Sequence, residues 1–449
     1  MHHDAQGLPL TITSAEAAAA FDHAVQGYLH YAADAGARIA PMLAADPEAP
    51  MAQVLAGSFA MLGFRADTMP RAAAAAARAA ALPGTPRERA HARALAAWAA
   101  GDPHQALREW EAILATHPQD VLAFRLHHFT AFWQGAAERM LAIAEQVLPR
   151  IIDPAMPGAS RLLGCRAFAH EEAGLYTTAE AYGRAAIEAD PADLWAAHAV
   201  AHVFEMQGRR AEGTAWVARL QPHWAQGNNL KHHLWWHEAL YALEQGDHAR
   251  VLHLYDTGFR NAQSALTQAQ PDLYIDMQNA CSMLFRLGLR GVAPGDRWEE
   301  LAELAEARIG DTASAFTLPH WMMALTAAGR FGAAERMLDA IHDVADRALP
   351  GPAATLRRAA LPACQAVLHH VRGDHAAAVD ALRPALGDLP RLGGSHAQQD
   401  VLAQLFLDSA MRAGRRADAV LLLERTAARH PVPLARRAFY AEAAASLGF

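Results

Sequence analysis

The chain has 449 residues with 47 acidic and 39 basic side chains, a formal net charge of -8. It contains no basic cluster able to neutralise a row of phosphates, which excludes nucleic acid as a partner. Hydrophobic residues make up 53% of the chain, Ala and Leu far outnumber β-branched residues, and the mixture predicts a large helical core.

The start, Met1 to Gly7, lacks the charged and then apolar regions of a secretory signal, and no apolar run is long enough to span a bilayer. The longest Ala-rich stretch, Ala72 to Ala81, is broken by Arg78. Cys165, Cys281 and Cys364 are odd in number and far apart, as suits reduced buried thiols rather than a disulfide framework. The expectation is a soluble cytoplasmic protein with no membrane contact.

Residues 1–15 read as a flexible arm. Beyond them, apolar helical segments end repeatedly in a glycine followed by a short polar turn: Gly63, Gly101, Gly135, Gly174, Gly208, Gly246, Gly288, Gly329, Gly373 and Gly414, spaced 34 to 44 residues apart. Glycine suits a helix C-terminus because it adopts a left-handed backbone without steric cost. Small residues flank many of these glycines at fixed offsets, such as Ala94, Ala167 and Ala201 before and Ala106, Ala179 and Ala334 after, so two antiparallel helices can approach closely. Pro118, Pro191 and Pro431 stand where the second helix must stop. The segments Arg38 to Pro50, Pro154–Gly158, Val292–Gly295 and Leu389–Gly394 read as inter-repeat loops. The predicted fold is all-α: one tetratricopeptide-type helical-hairpin α-solenoid, a superhelix of about ten repeats over 1–449.

In a stacked hairpin array the first helix of each pair lines the concave surface, and each glycine serves as a ruler along its helix. At 100 degrees per residue, His198, His202, Glu205, Glu172, His233, His237 and His320 share an arc of about 120 degrees on their respective helices, with Trp236 beside them. Of the chain's 25 histidines, many fall between His127 and His253. Two consecutive repeats each supply a His-x-x-x-His pair. Imidazoles beside a carboxylate suit acid/base chemistry, because in a partly dry groove they titrate near neutrality. Pairs at i,i+4 can equally converge on zinc or another transition metal, the candidate ligands being His198, His202, His233 and His237. Trp235 reads as core and Trp236 as a groove wall.

Gly393-Gly394-Ser395-His396 joins a glycine turn to a helix start, where free backbone amides can hold an anion and Ser395 can instead cap the helix. No nucleophile elbow, phosphate loop, dinucleotide fingerprint or paired Cys-x-x-Cys occurs.

Four segments stand out, Asp193 to Met206, Trp236 to Tyr241, Cys281 to Leu287, and Gly393 to Gln398, the first of them far more specific than generic repeat sequence. They resemble the tetratricopeptide repeat protein 38 family over nearly the whole chain. The resemblance implies a site including His128, Glu172, His233, Asp276 and His320. Gln399 stands where the family often carries Arg, and Phe129 and Leu318 replace acidic residues, which implies an altered anion preference.

The function expected is recognition of a small polar molecule or peptide in the groove, its floor formed by His198, His202, Glu205, His233 and His237. Ser395, His396, His128, Asp276 and His320 are further ligand contacts. An enzyme would use the same groove for acid/base or metal-assisted hydrolysis: Glu205 or Glu172 orients an imidazole, His202 or His237 moves the proton, and Asp276 or His320 positions the substrate. A scaffold binding a protein partner is the third reading.

Overall fold

In a computed structural model the chain is described over residues 2–151 and 156–449, so the loop expected at Pro154–Gly158 lies partly outside the described residues. It divides into two compact units, Met1–Val200 with Pro222–Leu230, and Ala201–Gln221 with Lys231–Phe449.

The first unit opens with a small antiparallel pair, β1 (His2–His3) and β2 (Pro9–Leu10), followed by α1 (Ala15–Leu29), α2 (Ile39–Ala45), α3 (Pro50–Leu62), α4 (Met69–Ala81), α5 (Pro86–Ala99), α6 (Pro103–Thr116), α7 (Val121–Trp133), α8 (Ala137–Val147), α9 (Ala159–Glu172) and α10 (Tyr176–Ala189). Helix α11 (Leu194–Gln207) begins in the first unit and ends in the second. The second unit continues with α12 (Arg210–Leu220), α13 (Leu230–Glu244), α14 (His248–Leu254), α15 (Ala265–Ala269), α16 (Tyr274–Leu289), α17 (Arg297–Ala307), α18 (Thr317–Ala327), α19 (Phe331–Arg347), α20 (Pro350–Thr355), α21 (Leu361–Val371), α22 (His375–Leu382), α23 (His396–Arg412), α24 (Arg416–Arg429) and α25 (Ala438–Leu447). Successive helices pair as hairpins, among them α5 with α6, α9 with α10, α21 with α22 and α23 with α24. Both units are therefore built from tetratricopeptide-type helical hairpins. No helix among the described residues is long and apolar enough to cross a membrane.

Eight of the ten ruler glycines adopt the left-handed backbone expected of a helix end. At the other two, a neighbour takes that role. Phe64 (φ 48) does so after Gly63, and Gly291 (φ 74) after Gly288, because α16 runs on to Leu289. In three hairpins an aspartate directly after the glycine caps the next helix: Asp102, Asp247 and Asp374 each accept a backbone N–H two or three residues into it.

Two expectations need correcting. The N-terminal residues are docked rather than an arm: Leu8 and Leu10 are buried, Asp4 Oδ1 accepts from Leu8 N at 2.8 Å, and Thr11 donates to Glu88. Burial of two leucines and satisfied turn amides outweigh the entropy of a short segment. The stretch Arg38 to Pro50 is not simply a loop, since it holds α2, whose Ile39 and Met42 are buried.

In the second unit the first helices stack in series, α16 on α18, α18 on α21 and α21 on α23, with α23 also packing against α16. The turn before α23 is sterically demanding. Gly394 has φ 77, and a Cβ there would lie 2.8 Å from ring carbons of Phe316. Gly394→Ala is expected to lower stability by about 1–3 kcal/mol through backbone strain and overpacking, read from the urea midpoint.

Candidate functional site

The sequence-selected residues of the second unit come from its stacked first helices. His202 and Glu205 lie on α11, His233, Trp236 and His237 on α13, Asp276 on α16, His320 on α18 and His396 on α23. Three imidazoles form a tight group: ring centroids of His202 and His237 are 4.3 Å apart, those of His233 and His237 4.9 Å, and those of His202 and His233 6.4 Å. His233 Nδ1 donates to Asn279 Oδ1 at 2.7 Å, which leaves its Nε2 with the lone pair. Its ring lies nearly parallel to Trp236 at 4.9 Å.

All three imidazoles are wholly buried, and burial holds His233 down to about 4 and His202 and His237 well below the usual histidine range. They are neutral at physiological pH. The expectation that they titrate near neutrality assumed a partly wet groove, and full desolvation disfavours the imidazolium. Their donor nitrogens lie within 4.8 Å of one another, and the set could hold a soft or borderline transition metal.

Of the two tryptophans, the one expected to wall the groove is the more deeply buried. Trp236 is 1% exposed, packed under the His233 ring and beneath the Arg286 guanidinium at 5.6 Å, whereas Trp235 is half-buried beside Gly258. Trp236 is thus core, not groove wall.

What faces open space is a charged recess, next to His202 through His396. An inner cavity of about 20 Å3, large enough for a water, is bordered by Glu205, Glu244, Arg286, His396 and Gln404. An outer pocket of about 120 Å3 is bordered by Leu386, Leu389, Gln399, Leu422, Arg425 and Arg429. Met206, His396, Asp400, His430 and Arg437 line both. The outer volume is of the order of the ~150 Å3 cavity that accommodates benzene.

Most charges of the recess are paired. Asp400 accepts from Arg437 at 2.9 Å, from Tyr440 at 2.6 Å and from Gln404 at 2.7 Å. Burial alone would raise its carboxyl, but Arg437 and Arg286 hold it well below the usual carboxylate range. Glu244 accepts from Arg210 at 2.9 Å and from the Ala438 amide at 3.0 Å.

Two groups differ. Arg286 is 1% exposed and donates only to the carbonyls of Ala397 (2.8 Å) and Ser282 (3.4 Å); among the described residues no carboxylate is bonded to it, although the charge of Asp400 acts on it from a distance. Burial pushes its guanidinium down to about 10. Glu205 has no hydrogen-bond or ion-pair partner among the described residues, and burial, helped by the charge of Glu244, pushes its carboxyl up to about 7.

Other expected contacts lie elsewhere. Asp276 is buried against His232 Nδ1 at 3.1 Å. The His320 Nδ1–H is bonded to Phe316 O at 2.8 Å, although the ring remains within electrostatic reach of Arg286. Ser395 accepts from Gln398 N while Gln398 Oε1 accepts from Ser395 N, a reciprocal cap that uses the hydroxyl in holding α23. Gln399 donates to the carbonyls of Gly393 and Gly394. His128, Glu172 and His198 belong to the first unit. There His128 packs among Phe124, Phe168 and Trp195, and His198 lies on Phe168 and Trp195. Glu172 adjoins Glu171, whose carboxyl is raised well above its usual range by burial and by the Glu172 charge.

Sequence reasoning missed Arg286, Asp400, Arg425, Arg429, His430 and Arg437. Arg286 stands two residues before Gly288, the offset that selected Glu172, so the same ruler could have found it. Asp400 is on the first helix α23, 14 residues before Gly414 and beyond the offsets the ruler was read at, whereas Arg425 and Arg429 are on the second helix α24 and His430 and Arg437 follow it, where that ruler has no meaning.

No family model matches the chain. The chain is similar to the crystal structure of the yeast Tom70, at TM-score 0.35 and 13% identity over 96% of each chain. It is also similar to a structure described as Naa15/Naa10 bound to HypK-THB, at TM-score 0.26 and 11% identity over 92% of this chain and 63% of that one. The chain is tetratricopeptide-like. Its own hairpins and their glycine spacing carry that statement.

Proposed function

We propose that the second unit binds a small anionic molecule, or the free carboxylate end of a peptide, with its acidic group directed at Arg286. The observation that carries this reading is the buried Arg286 guanidinium, to which no carboxylate among the described residues is bonded, at the inner end of a recess open to solvent. A buried cation is costly unless paired, and a ligand carboxylate or phosphate supplies the missing partner by charge-assisted hydrogen bonds. Arg425, which donates to Leu386 O, and the exposed Arg429 add positive charge at the mouth that no carboxylate among the described residues pairs. The two cavities together are bordered by four guanidiniums and three carboxyls, one of them Glu205 near half-protonation at neutral pH.

The test is calorimetric binding of mono- and dicarboxylates, phosphate esters and short peptides with free or amidated C-termini. Arg286→Gln is expected to weaken the binding anion by about thirtyfold or more, the effect of losing one partner of a buried charge pair. A free-carboxylate peptide that binds while its amidated form does not would identify a protein end as the source of the anion, and with it a protein partner. Unchanged affinity in Arg286→Gln would sink the reading.

A second reading, acid/base catalysis, is favoured by Glu205: a carboxyl near 7 can give or take a proton at neutral pH. It moves the proton-transfer role from His202 and His237 to Glu205, and it requires that bound ligand be turned over and that Glu205→Gln stop turnover while keeping binding. Assignment to the tetratricopeptide repeat protein 38 family is supported by the four segments named above, and a cytoplasmic location by three buried thiols.

A further inference from the structure

A second cluster of metal-ligating side chains lies in the second unit, outside the charged recess. His370 near the end of α21, His375 at the first position of α22 and Asp408 on α23 each offer a ligand atom, and these atoms lie within 4.8 Å of one another. The His370 and His375 rings are 5.1 Å apart at 63°, and His370 Nε2 is 3.8 Å from Asp408 Oδ2. His370 and His375 border a cavity of about 370 Å3 whose other walls are Arg412 and largely apolar residues, including Leu284, Phe285 and Trp298.

We infer that His370, His375 and Asp408 form a binding site for a divalent transition metal, zinc being the best match, with its open position facing this cavity. Two imidazoles and one carboxylate suit zinc, copper, nickel or non-haem iron rather than magnesium or calcium, which favour all-oxygen shells. Two observations beyond the clustering support it. His370 Nδ1 is hydrogen-bonded to Ser409 Oγ at 2.9 Å, which fixes the ring orientation and turns Nε2 toward Asp408, the kind of outer-shell bond that metal-bound histidines carry. His375 Nδ1 is shielded from solvent and has no hydrogen-bond partner among the described residues, an arrangement that a coordinate bond would relieve. Tetrahedral ligands about 2.0–2.1 Å from zinc lie roughly 3.4 Å from one another, so binding draws the three groups inward, and the half-buried His375 ring can turn to do so. Arg412, bonded to Asp408 at 2.6 Å, has a half-exposed side chain able to swing into solvent or to support an anionic fourth ligand.

The experiment uses the full chain purified without a polyhistidine tag, stripped with chelator and titrated with cobalt(II) and zinc(II). Cobalt d–d absorption and metal content are read on wild type, His375→Ala, Ser409→Ala and His202→Gln. The expected result is one equivalent bound with low-symmetry cobalt bands, lost in His375→Ala, weakened about tenfold or more in Ser409→Ala, and kept in His202→Gln. Ser409→Ala keeps all three ligands, so its loss of affinity does not depend on whether His375→Ala folds. No uptake by wild type, or uptake unchanged by His375→Ala and lost in His202→Gln, overturns the assignment; the latter would place the metal at the three buried imidazoles instead.

Discussion

Glu205→Gln is expected to stabilise the protein at pH 8 by about 2–3 kcal/mol and to leave it nearly unchanged at pH 5. Burial pushes the Glu205 carboxyl up to about 7 in the folded chain, against the ordinary 4.5. A raised acid binds its proton more tightly when folded. Between about pH 4.5 and 7 the native state therefore holds more protons than the unfolded state, and stability falls as pH rises through that window. Below it the carboxyl is neutral in both states and the substitution removes nothing. Urea midpoints for wild type and variant across that range would show the curves diverging upward in pH. Coincident curves would mean that Glu205 titrates as an ordinary exposed carboxylate. The same proton links to ligand binding, since an anion seated on Arg286 disfavours the Glu205 charge and should be accompanied by proton uptake at pH 7 to 8.

Asp400→Asn is expected to destabilise the second unit by about 3 kcal/mol at pH 7, because it leaves the buried Arg437 without its counter-charge. The sign of its pH dependence is opposite. The Asp400 carboxyl is depressed in the folded state, so its stabilising effect is complete above the unfolded value of about 3.9 and is lost as pH falls below it. The gap between wild type and Asp400→Asn should close in acid. Pairing Asp400→Asn with Arg437→Met removes the stranded charge and should recover most of the loss; no recovery would mean that the Tyr440 and Gln404 bonds to Asp400, rather than the ion pair, dominate.

Together these two groups make the recess a place where opposite charges are held for different reasons. Asp400 and Arg437 hold each other, whereas Glu205 and Arg286 face the inner cavity without a mutual bond. The first pair serves the fold, and the second is available to a ligand.

The sequence by itself determined the hairpin fold, because helix ends are a local matter. A left-handed glycine and small residues at fixed offsets act within one or two turns, which is why Gly101, Gly246 and Gly373 could be read directly; the aspartate caps that follow them, Asp102, Asp247 and Asp374, are equally local signals that the reading did not use. Helical periodicity also put His202, Glu205, His233 and His237 on inward positions, since 100 degrees per residue needs no knowledge of neighbouring helices. Only the tertiary structure decided how wet those positions are. Stacking α13 against α16 residues buries Trp236 and the three imidazoles under Arg286 and Asn279, and desolvation then removes their charge. The recess likewise depends on Arg437 and Asp400, 37 residues apart, meeting across α23 and the start of α25. Such pairings follow from the packing of distant segments, and no spacing along one helix encodes them.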